Sequence, residues 1–301
     1  MKVKGVYNLG FFLFGAAAAF QASPRRANLL PQGSATPPAH SIQPQPLTNA
    51  PTLLQKTESS LLAATTEPAP GSQDLDVEAL GKYALAIGTQ MSLFYALLSG
   101  VDYVVQMNDL QIPFAVNCVV FWFVALKSRV LNPLNNKRPQ RENLEATGET
   151  RNLPSWTPPG FIFPIMWILI IGPIRASTTA MVYDVTGSYA NAAILSLMLH
   201  LSIGDVWNTI NNVERRYGAS VIGVLLVWTS KAFAAYQYYQ VSPLAGKLLC
   251  LPLIWLTVAS SLIIRTWQLN PDDTTGEPYP LYPVKGQGQT ELSWFSNAEE
   301  S

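Results

Sequence analysis

The sequence contains little charge, and this scarcity limits the classes of protein that it can encode. Only 13% of its 301 residues are charged, Lys and Arg balance Asp and Glu at 19 each, and no basic tract is present. Nucleic acid is therefore not expected as a partner. Cysteine is also rare, and neither Cys118 nor Cys250 has the spacing of a metal ligand. We expect both thiols to be buried and reduced, and we predict no metal site.

The motifs of common enzyme classes are missing too. The sequence has no Walker loop, no G-x-G-x-x-G, no H-E-x-x-H and no nucleophile elbow. Each of these motifs supplies a phosphate cradle, a metal or a nucleophile, and nothing else in the sequence replaces them. We therefore expect a protein that is not an enzyme, and we assign no catalytic residue.

What the sequence does contain is a series of long apolar runs. Hydrophobic residues make up 49% of the chain and the mean hydropathy is +0.17, although both ends are polar. Each run is close to or longer than the roughly 20 residues that cross a bilayer as a helix. We predict an all-α membrane protein, a polytopic bundle of five to six transmembrane helices, because the first run contains several polar residues, Lys82, Gln90 and Asp102. The predicted spans are residues 81–106, 112–131, 160–183, 189–213, 217–240 and 242–269.

Basic residues are distributed unevenly between the predicted loops. They concentrate in residues 132–159, after span two, and in the turn after span four, whereas the loops after spans one, three and five have almost none. Positively charged loops stay on the cytoplasm-like side of a membrane. We therefore place both termini and the basic loops on one face, which in a plastid is the stroma.

The polar N-terminus has the composition of a targeting sequence. Lys2 and Lys4 precede an apolar stretch and four alanines, the pattern of a signal peptide over residues 1–19. Residues 20–75 are poor in acid and rich in Ser and Pro, as in a disordered transit peptide. This order resembles the bipartite presequence of algae with secondary plastids. We expect a multi-pass protein of a plastid (chloroplast) membrane, with plain secretion as the alternative. Residues 81–270 form the predicted membrane domain, and residues 271–301 a disordered tail.

The most distinctive motif runs from Pro154 to Trp167, P-S-W-T-P-P-G-F-I-F-P-I-M-W. It resembles the W-x-P-P-x-x-x-F-G-x-x-W of the TspO/MBR family, the tryptophan-rich sensory proteins that include the mitochondrial translocator protein. Residues 242–270 resemble the last helix of that family, and Trp207 and Trp228 fall at its tryptophan positions. The resemblance implies a five-helix fold, in which one of the first two predicted spans is extra or does not cross the membrane.

Several residues depart from the family pattern. Gly204 stands in place of an asparagine, Leu253 in place of a tyrosine of many members, and Ile263 in place of an asparagine. The last helix also lacks the pattern proposed for cholesterol binding, which places a sterol ligand in doubt. These differences indicate a divergent, plastid-type member of the family.

Three basic side chains lie at one predicted depth in the membrane. Arg175 and Lys231 are about 20 Å from the basic face in parallel spans, and His200 in an antiparallel span reaches nearly the same level. Such groups are costly in hydrocarbon and usually face the bundle interior. They suit an anionic ligand such as a porphyrin with propionates; alternatively, Arg175 and Lys231 snorkel separately to the far interface. His200 alone is most simply a hydrogen-bonded core histidine.

A buried carboxylate lies nearer the basic face. Asp205 is level with Trp167 and is placed to accept a hydrogen bond from its indole N–H. Internal pairing of this kind is favoured over a proton-relay role. Trp267 is expected to be an interfacial anchor.

Flat aromatic rings are the second component of the predicted site. Trp167, Trp207 and Trp255 lie deep enough to line a pocket between helices, where indole faces stack on a macrocycle. Core packing is the alternative when the residues are considered alone. The predicted ligand-binding residues are Trp156, Pro159, Phe163, Trp167, Arg175, His200, Trp207, Trp228, Lys231 and Trp255.

From the resemblance we expect a receptor-like protein that binds a tetrapyrrole, protoporphyrin IX or haem, or a similar hydrophobic ligand, for sensing, storage or disposal. No cofactor is required. The main alternative is a transporter of tetrapyrroles or lipids, for which Pro164, Pro173 and Pro252 are candidate kinks, although no internal repeat is present. Light-dependent porphyrin degradation and a structural role in a pigment–protein complex are minor alternatives. Expected partners are membrane lipid and the tetrapyrrole, with a homodimer left open.

Overall fold

The computed structural model describes residues 73–140, 144, 150–272 and 275–294. Within them, six helices are long and apolar enough to cross a membrane, so the protein is a polytopic helical membrane protein, as predicted. The predicted signal peptide and nearly all of the transit peptide lie outside the described residues. The helices are α1 (Val77–Met107), α2 (Phe114–Leu131), α3 (Ile162–Thr186), α4 (Ala192–Asn212), α5 (Tyr217–Val241) and α6 (Pro243–Gln268).

Polar residues and a glycine fix where several helices begin and end. Asp76 before α1 and Asn191 before α4 each accept a hydrogen bond of 2.9 Å from the main-chain N–H three residues later. These caps satisfy N–H groups that have no partner within the helix. At the end of α3, Gly187 has a positive φ of 66°, which lets its N–H reach the Tyr183 carbonyl.

The centre of the bundle is formed by α4 and α5. They pack against each other, while α1 packs on α4, α6 packs on α5, and α2 packs on α3. Of the residues in the most apolar part of each helix, 67% are buried in α4 and 61% in α5, but only 22% in α1 and 17% in α2. Two protected helices are therefore surrounded by helices that present apolar side chains to lipid.

At the basic end of the bundle, where the chain enters α1, a polar network joins α1 to α4. Gln90 donates from Nε2 to the Asp205 carboxylate and to the Ser128 carbonyl, both at 2.8 Å. Gln90 is fully buried, and buried polar groups need partners of this kind. The interpretation that Asp205 accepts from Trp167 is wrong, because Gln90 from α1 is its hydrogen-bond donor.

A second polar contact holds α1 at the far end, which is formed by residues 108–113, 187–191 and 242. Asp102 accepts hydrogen bonds from the N–H groups of Tyr189 and Ala190 at 2.6 and 2.9 Å. Both ends of α1 are thus bonded to the remainder of the bundle. The polar residues that made this span uncertain in the sequence are the groups that attach it.

A π-helical segment, Ile165–Ile171, divides α3. Hydrogen bonds in a π-helix run to the carbonyl five residues earlier, so Pro173, which has no N–H, leaves the Ile168 carbonyl without a helical donor. The Trp122 indole of α2 donates to that carbonyl at 3.1 Å. Gly172 permits this approach, because a Cβ at that position would lie 2.7 Å from the Trp122 Nε1. The proline-induced defect is therefore repaired by a neighbouring helix, as the membrane requires.

The C-terminal tail returns to the basic end and packs there. The Asp76 N–H donates to the Pro283 carbonyl at 2.8 Å, and the Trp267 indole donates to the Tyr279 carbonyl at 2.7 Å. The prediction of a disordered tail is therefore wrong for residues 275–294. These residues form no helix or strand, and their contacts use main-chain carbonyls, which leave no periodic pattern in the sequence.

Arg216 lies at the centre of the contact between the tail and the helices. It is 1% exposed, pairs with Asp76 at 2.7 Å and Glu214 at 3.1 Å, and donates to the Gly288 carbonyl at 3.0 Å. Glu214 also accepts from the Tyr83 hydroxyl. Burial raises the pKa of the Glu214 carboxyl. Burial also acts to raise the pKa of Asp76, but its hydrogen bonds from the α1 cap and from Arg216 outweigh this and hold it below its usual value.

Both cysteines are free thiols, but neither is buried within the protein. Cys118 is half-buried and Cys250 is exposed on the surface of α6. The prediction of buried thiols is therefore wrong. In a membrane this surface faces hydrocarbon, where a thiol behaves as a small apolar group.

Candidate functional site

The helix α3 carries three of the predicted ligand-binding residues. Phe163 lies in its first turn, Trp167 lies in the π-helical segment, and Arg175 follows on the next stretch of α-helix. The Arg175 guanidinium lies over the Trp167 ring, with its Cζ 5.6 Å from the ring centroid, which is a cation–π contact. Arg175 is only 8% exposed. It therefore points into the bundle and does not snorkel.

His200 of α4 connects Arg175 to α5. The Arg175 Nη2 lies 2.9 Å from the His200 Nε2, and the His200 Nδ1 lies 3.2 Å from the Ser230 hydroxyl. Arginine only donates hydrogen bonds, so Nε2 is the acceptor and the imidazole is neutral, with its proton on Nδ1. The Ser230 hydroxyl oxygen accepts the hydrogen bond from this N–H, and its own O–H donates to the Val227 carbonyl at 3.0 Å. His200 is thus a hydrogen-bonded core histidine with both ring nitrogens occupied.

Lys231 is the most deeply buried cation of the group. Its side chain is fully buried, and its Nζ has no hydrogen-bond acceptor among the described residues. It lies within electrostatic range of Arg175, His200 and the Cys250 thiol. The structure therefore brings together the three basic residues that the sequence placed at one depth, and Lys231 does not snorkel.

Trp255 of α6 extends the group along α3. Its ring meets the Phe163 ring edge to face, with centroids 5.8 Å apart. The Trp255 indole N–H is buried and has no acceptor within the described part of the chain. Phe163 precedes Trp167 by one turn, so the Phe163–Trp255 contact and the Trp167–Arg175 contact lie about one turn apart on α3. We call these six residues the cation–indole cluster: Phe163, Trp167, Arg175, His200, Lys231 and Trp255.

Three buried polar atoms of the cluster lack partners in the described residues, and all three are donors. They are the Lys231 Nζ, the Arg175 Nε and the Trp255 Nε1. Leaving such atoms unpaired costs about 1–3 kcal/mol each, and more when the group is charged. The electrostatic complement of this arrangement is an acceptor with negative charge, such as a carboxylate. In the described residues no His, Cys, Asp and Glu side chains cluster in a way that could hold a metal ion.

Four predicted residues lie elsewhere. Trp156 and Pro159 are exposed in the loop before α3, and Trp156 is 50% exposed. Trp228 is 37% exposed and donates to the Thr257 hydroxyl at 3.1 Å. Trp207 is half-buried, and its indole donates to the Ser220 carbonyl at 3.1 Å. The structure therefore does not bring these four side chains into the cation–indole cluster.

Two contributors to the site were not predicted from the sequence. Ser230 fixes the His200 tautomer, and Trp122 repairs the helix that holds Trp167 and Arg175. A usable signal was that Ser230 precedes Lys231 on α5 and therefore lies at nearly the same predicted depth as His200. Trp122 had no such signal, because only the partner helix shows which carbonyl needs a donor.

Two grooves lie outside the cluster. One, of about 290 Å³, is at the far end and includes Asp109, Tyr183 and Asp184. The other, of about 360 Å³, lies between α5 and α6, and we call it the α5–α6 groove. It is lined by Ala232, Ala235, Tyr236, Tyr239, Gly246, Lys247, Cys250 and Leu253.

Comparison with known proteins matches the membrane domain to one family. A model of the TspO/MBR family matches residues 115–268, about half of the chain, which covers α2 to α6 and leaves α1 before it. Protein CrtK of Rhodobacter capsulatus is 27% identical over 128 residues, 40% of this chain and 76% of that protein. The translocator protein of Homo sapiens is 29% identical over 120 residues, 39% of this chain and 70% of that protein. A tryptophan-rich sensory protein of Cereibacter sphaeroides is 28% identical over 120 residues, with 40% and 73% covered.

Proposed function

Because the chain belongs to the TspO/MBR family, we propose that it is a membrane receptor that binds a tetrapyrrole through the cation–indole cluster. One observation carries the proposal: the three donors at Lys231, Arg175 and Trp255 are buried without an acceptor in the described residues. A bound ligand with carboxylates offsets the cost of keeping such groups in a membrane. Binding serves sensing, storage or disposal of the ligand.

The aromatic residues of the cluster match the ring of a porphyrin, and its basic residues match the propionates. The macrocycle is flat and aromatic, and the Trp167 and Trp255 rings offer faces and edges for it. The propionates are anionic, and Arg175 and Lys231 can donate hydrogen bonds to them. Such bonds are strong because both partners carry charge. A sterol or a neutral lipid has the apolar surface but lacks the charge that Lys231 requires.

The engagement of His200 favours a metal-free ligand. Its Nε2 accepts from Arg175 and its Nδ1 bonds to Ser230, so neither nitrogen is free to ligate iron. Haem bound through an axial histidine would require both contacts to break. We therefore propose protoporphyrin IX, recognised by its carboxylates and ring, rather than axially ligated haem.

Neither of the two grooves is lined by any of the six residues of the cluster, so we propose that the ligand reaches the cluster by displacing side chains of α3. Phe161 just before α3, and Ile165 and Leu169 in its first half, are exposed to lipid. Because little protein covers this part of α3, its displacement breaks few contacts. We propose that the ligand enters from the membrane beside this segment.

The experiment is a titration of protoporphyrin IX into the purified full chain in detergent, read by tryptophan quenching and by the absorbance shift. We expect saturable binding that Trp167→Phe and Trp255→Phe each weaken by about two- to tenfold. Trp294→Phe is the matched control, because Trp294 is 45% exposed in the tail. Absence of saturable binding overturns the proposal, and a Trp255→Phe protein that binds like Trp294→Phe removes Trp255 from the site.

The cellular location is part of the same proposal. A signal peptide followed by an acid-poor, Ser- and Pro-rich segment supports delivery to a plastid membrane. A C-terminal fluorescent fusion in an alga with secondary plastids tests it. Fluorescence in the plastid envelope or thylakoid is expected, and fluorescence confined to the secretory pathway contradicts it.

A further inference from the structure

The α5–α6 groove lies on the surface that faces the membrane, and none of the six cluster residues lines it. Its walls are apolar side chains and the stem of Lys247, and its volume of about 360 Å³ is within the range of small-ligand sites. Tyr236 is 60% exposed at one wall, and the Cys250 thiol is exposed at the floor. Any bilayer around the protein therefore places lipid chains against this groove.

Small residues create the groove by letting α5 and α6 approach closely. A Cβ at Gly246 would lie 2.5 Å from the Tyr239 backbone, so only glycine permits the contact. On α5 the groove is lined by the short side chains of Ala232 and Ala235 together with Tyr236 and Tyr239. The close approach of the two helices at Gly246 is thus fixed by the backbone.

Lys247 gives the groove a positive charge, which the rest of the far end of the bundle lacks. At the far end of the bundle, residues 108–113, 187–191 and 242 contain no Lys or Arg, and neither do the adjoining helix turns apart from Lys247. Lys247 is exposed and lies four residues into α6, about 6 Å from its end. At that depth its ammonium reaches the headgroup region while its stem lines the groove.

We propose that the α5–α6 groove binds one acyl chain of an anionic membrane lipid, whose headgroup pairs with Lys247. The apolar walls accept the chain, and the single cation selects a negative headgroup over a zwitterionic one. Because the groove opens to the bilayer and Lys247 lies at headgroup depth, a membrane lipid fits better than a ligand from water. The proposal does not rest on tetrapyrrole binding, because the groove has no lining residue in common with the cation–indole cluster.

The experiment uses the full chain in phosphatidylcholine vesicles that contain a small fraction of a lipid with a photoreactive acyl chain. The headgroup is either phosphatidylglycerol or phosphatidylcholine, and crosslinks are mapped by mass spectrometry. We expect phosphatidylglycerol to label residues 232–239 and 246–253 about fivefold more than phosphatidylcholine does. We expect Lys247→Gln to remove that preference.

Two further variants make the test specific. Lys127→Gln, which removes an exposed lysine near the basic end of α2, should leave the preference unchanged. Ala232→Phe fills the groove and should reduce its labelling by both lipids. Equal labelling of wild type by both lipids, or an unchanged preference in Lys247→Gln, overturns the proposal. Stronger labelling by a photoreactive fatty acid than by phosphatidylglycerol also overturns it, because the groove would then take a free acid.

Discussion

Lys231 lowers the stability of the ligand-free protein but favours the binding of an anionic ligand. A fully buried lysine side chain without an acceptor in the described residues destabilises the ligand-free protein, because no hydrogen bond there replaces the hydration of its ammonium group. Arg175 adds a second positive charge within electrostatic range. Asp205 offsets part of the charge of Arg175, so the arrangement is unfavourable mainly at Lys231 unless a ligand completes it. This is the physical reason for assigning the site to an anion.

The ligand-free stability of Lys231→Met follows from this argument. Replacement by an apolar side chain of similar length should stabilise the protein by about 1–4 kcal/mol, as for other buried charges replaced by hydrophobic groups. The measurement is the melting temperature in detergent without ligand. Lys127→Met, at an exposed lysine, should change it little. A lower melting temperature for Lys231→Met would mean that Lys231 has an acceptor.

Asp76 gives a prediction with a defined pH window. Its pKa is lowered in the folded protein, so its contribution to stability is fully present above its unfolded value of about 3.9 and is lost as the pH falls further. Asp76→Asn should therefore lower the melting temperature by a constant amount near neutral pH. The difference from wild type should close below about pH 4. A difference that stays constant down to pH 3 would show that the charge of Asp76 is not responsible.

Glu214 should behave in the opposite way, because its pKa is raised. The folded state favours its protonated form, so ionisation above about pH 4.3 costs stability. The melting temperature of Glu214→Gln should therefore rise relative to wild type as the pH increases. The opposite pH trends of the two variants distinguish Asp76 from Glu214, although both carboxylates pair with Arg216.

At the scale of single helices, the sequence predicts boundaries well and internal geometry poorly. The apolar run of α5 was predicted as residues 217–240, and the helix is Tyr217–Val241, because the bilayer requires an apolar helix of that length. The π-helical segment of α3 was not predicted. Pro173 indicated a kink, but the kind of defect depends on Trp122, which belongs to another helix.

The repair of α3 by α2 is testable with two substitutions. Trp122→Phe removes the donor to the Ile168 carbonyl, and Gly172→Ala places a Cβ against the Trp122 indole. Each should lower the melting temperature. For Trp122→Phe the free energy of unfolding should fall by about 1–3 kcal/mol. Trp294→Phe is the control for losing an indole. If Trp122→Phe melts like the wild type, the carbonyl has another donor and the proposed repair is wrong.

At the scale of the whole molecule, a strap formed by residues 275–294 joins the starts of α1 and α5. It bonds to Asp76 before α1 and to Arg216 before α5. The hydropathy of the tail did not predict this, because the strap uses main-chain carbonyls and one buried arginine. The helical rise per residue, by contrast, placed Arg175, His200 and Lys231 at one depth, because helices with roughly parallel axes rise by the same amount per residue. It left open whether Arg175 and Lys231 face the bundle interior, which the structure shows.

Paired glycine variants test the strap. A Cβ at Gly218 would lie 1.9 Å from the Pro280 carbonyl oxygen, whereas one at Gly204 has no neighbour within 4 Å. Gly218→Ala should displace the strap, lower the melting temperature and speed proteolysis of residues 275–294. Gly204→Ala should be neutral or stabilising, since alanine favours a helix by about 1 kcal/mol. Equal behaviour of the two variants would show that the strap does not hold the bundle.

The most direct test compares protoporphyrin IX with its dimethyl ester, which keeps the ring but lacks both carboxylates. Wild type and Lys127→Met should bind the diacid about tenfold or more tightly than the ester, because charged hydrogen bonds are worth about 1.5–3 kcal/mol. Lys231→Met should lose most of that preference and bind the ester about as well as wild type does. Equal affinity of wild type for the two ligands would contradict the account, because the buried cations would then have no part in recognition.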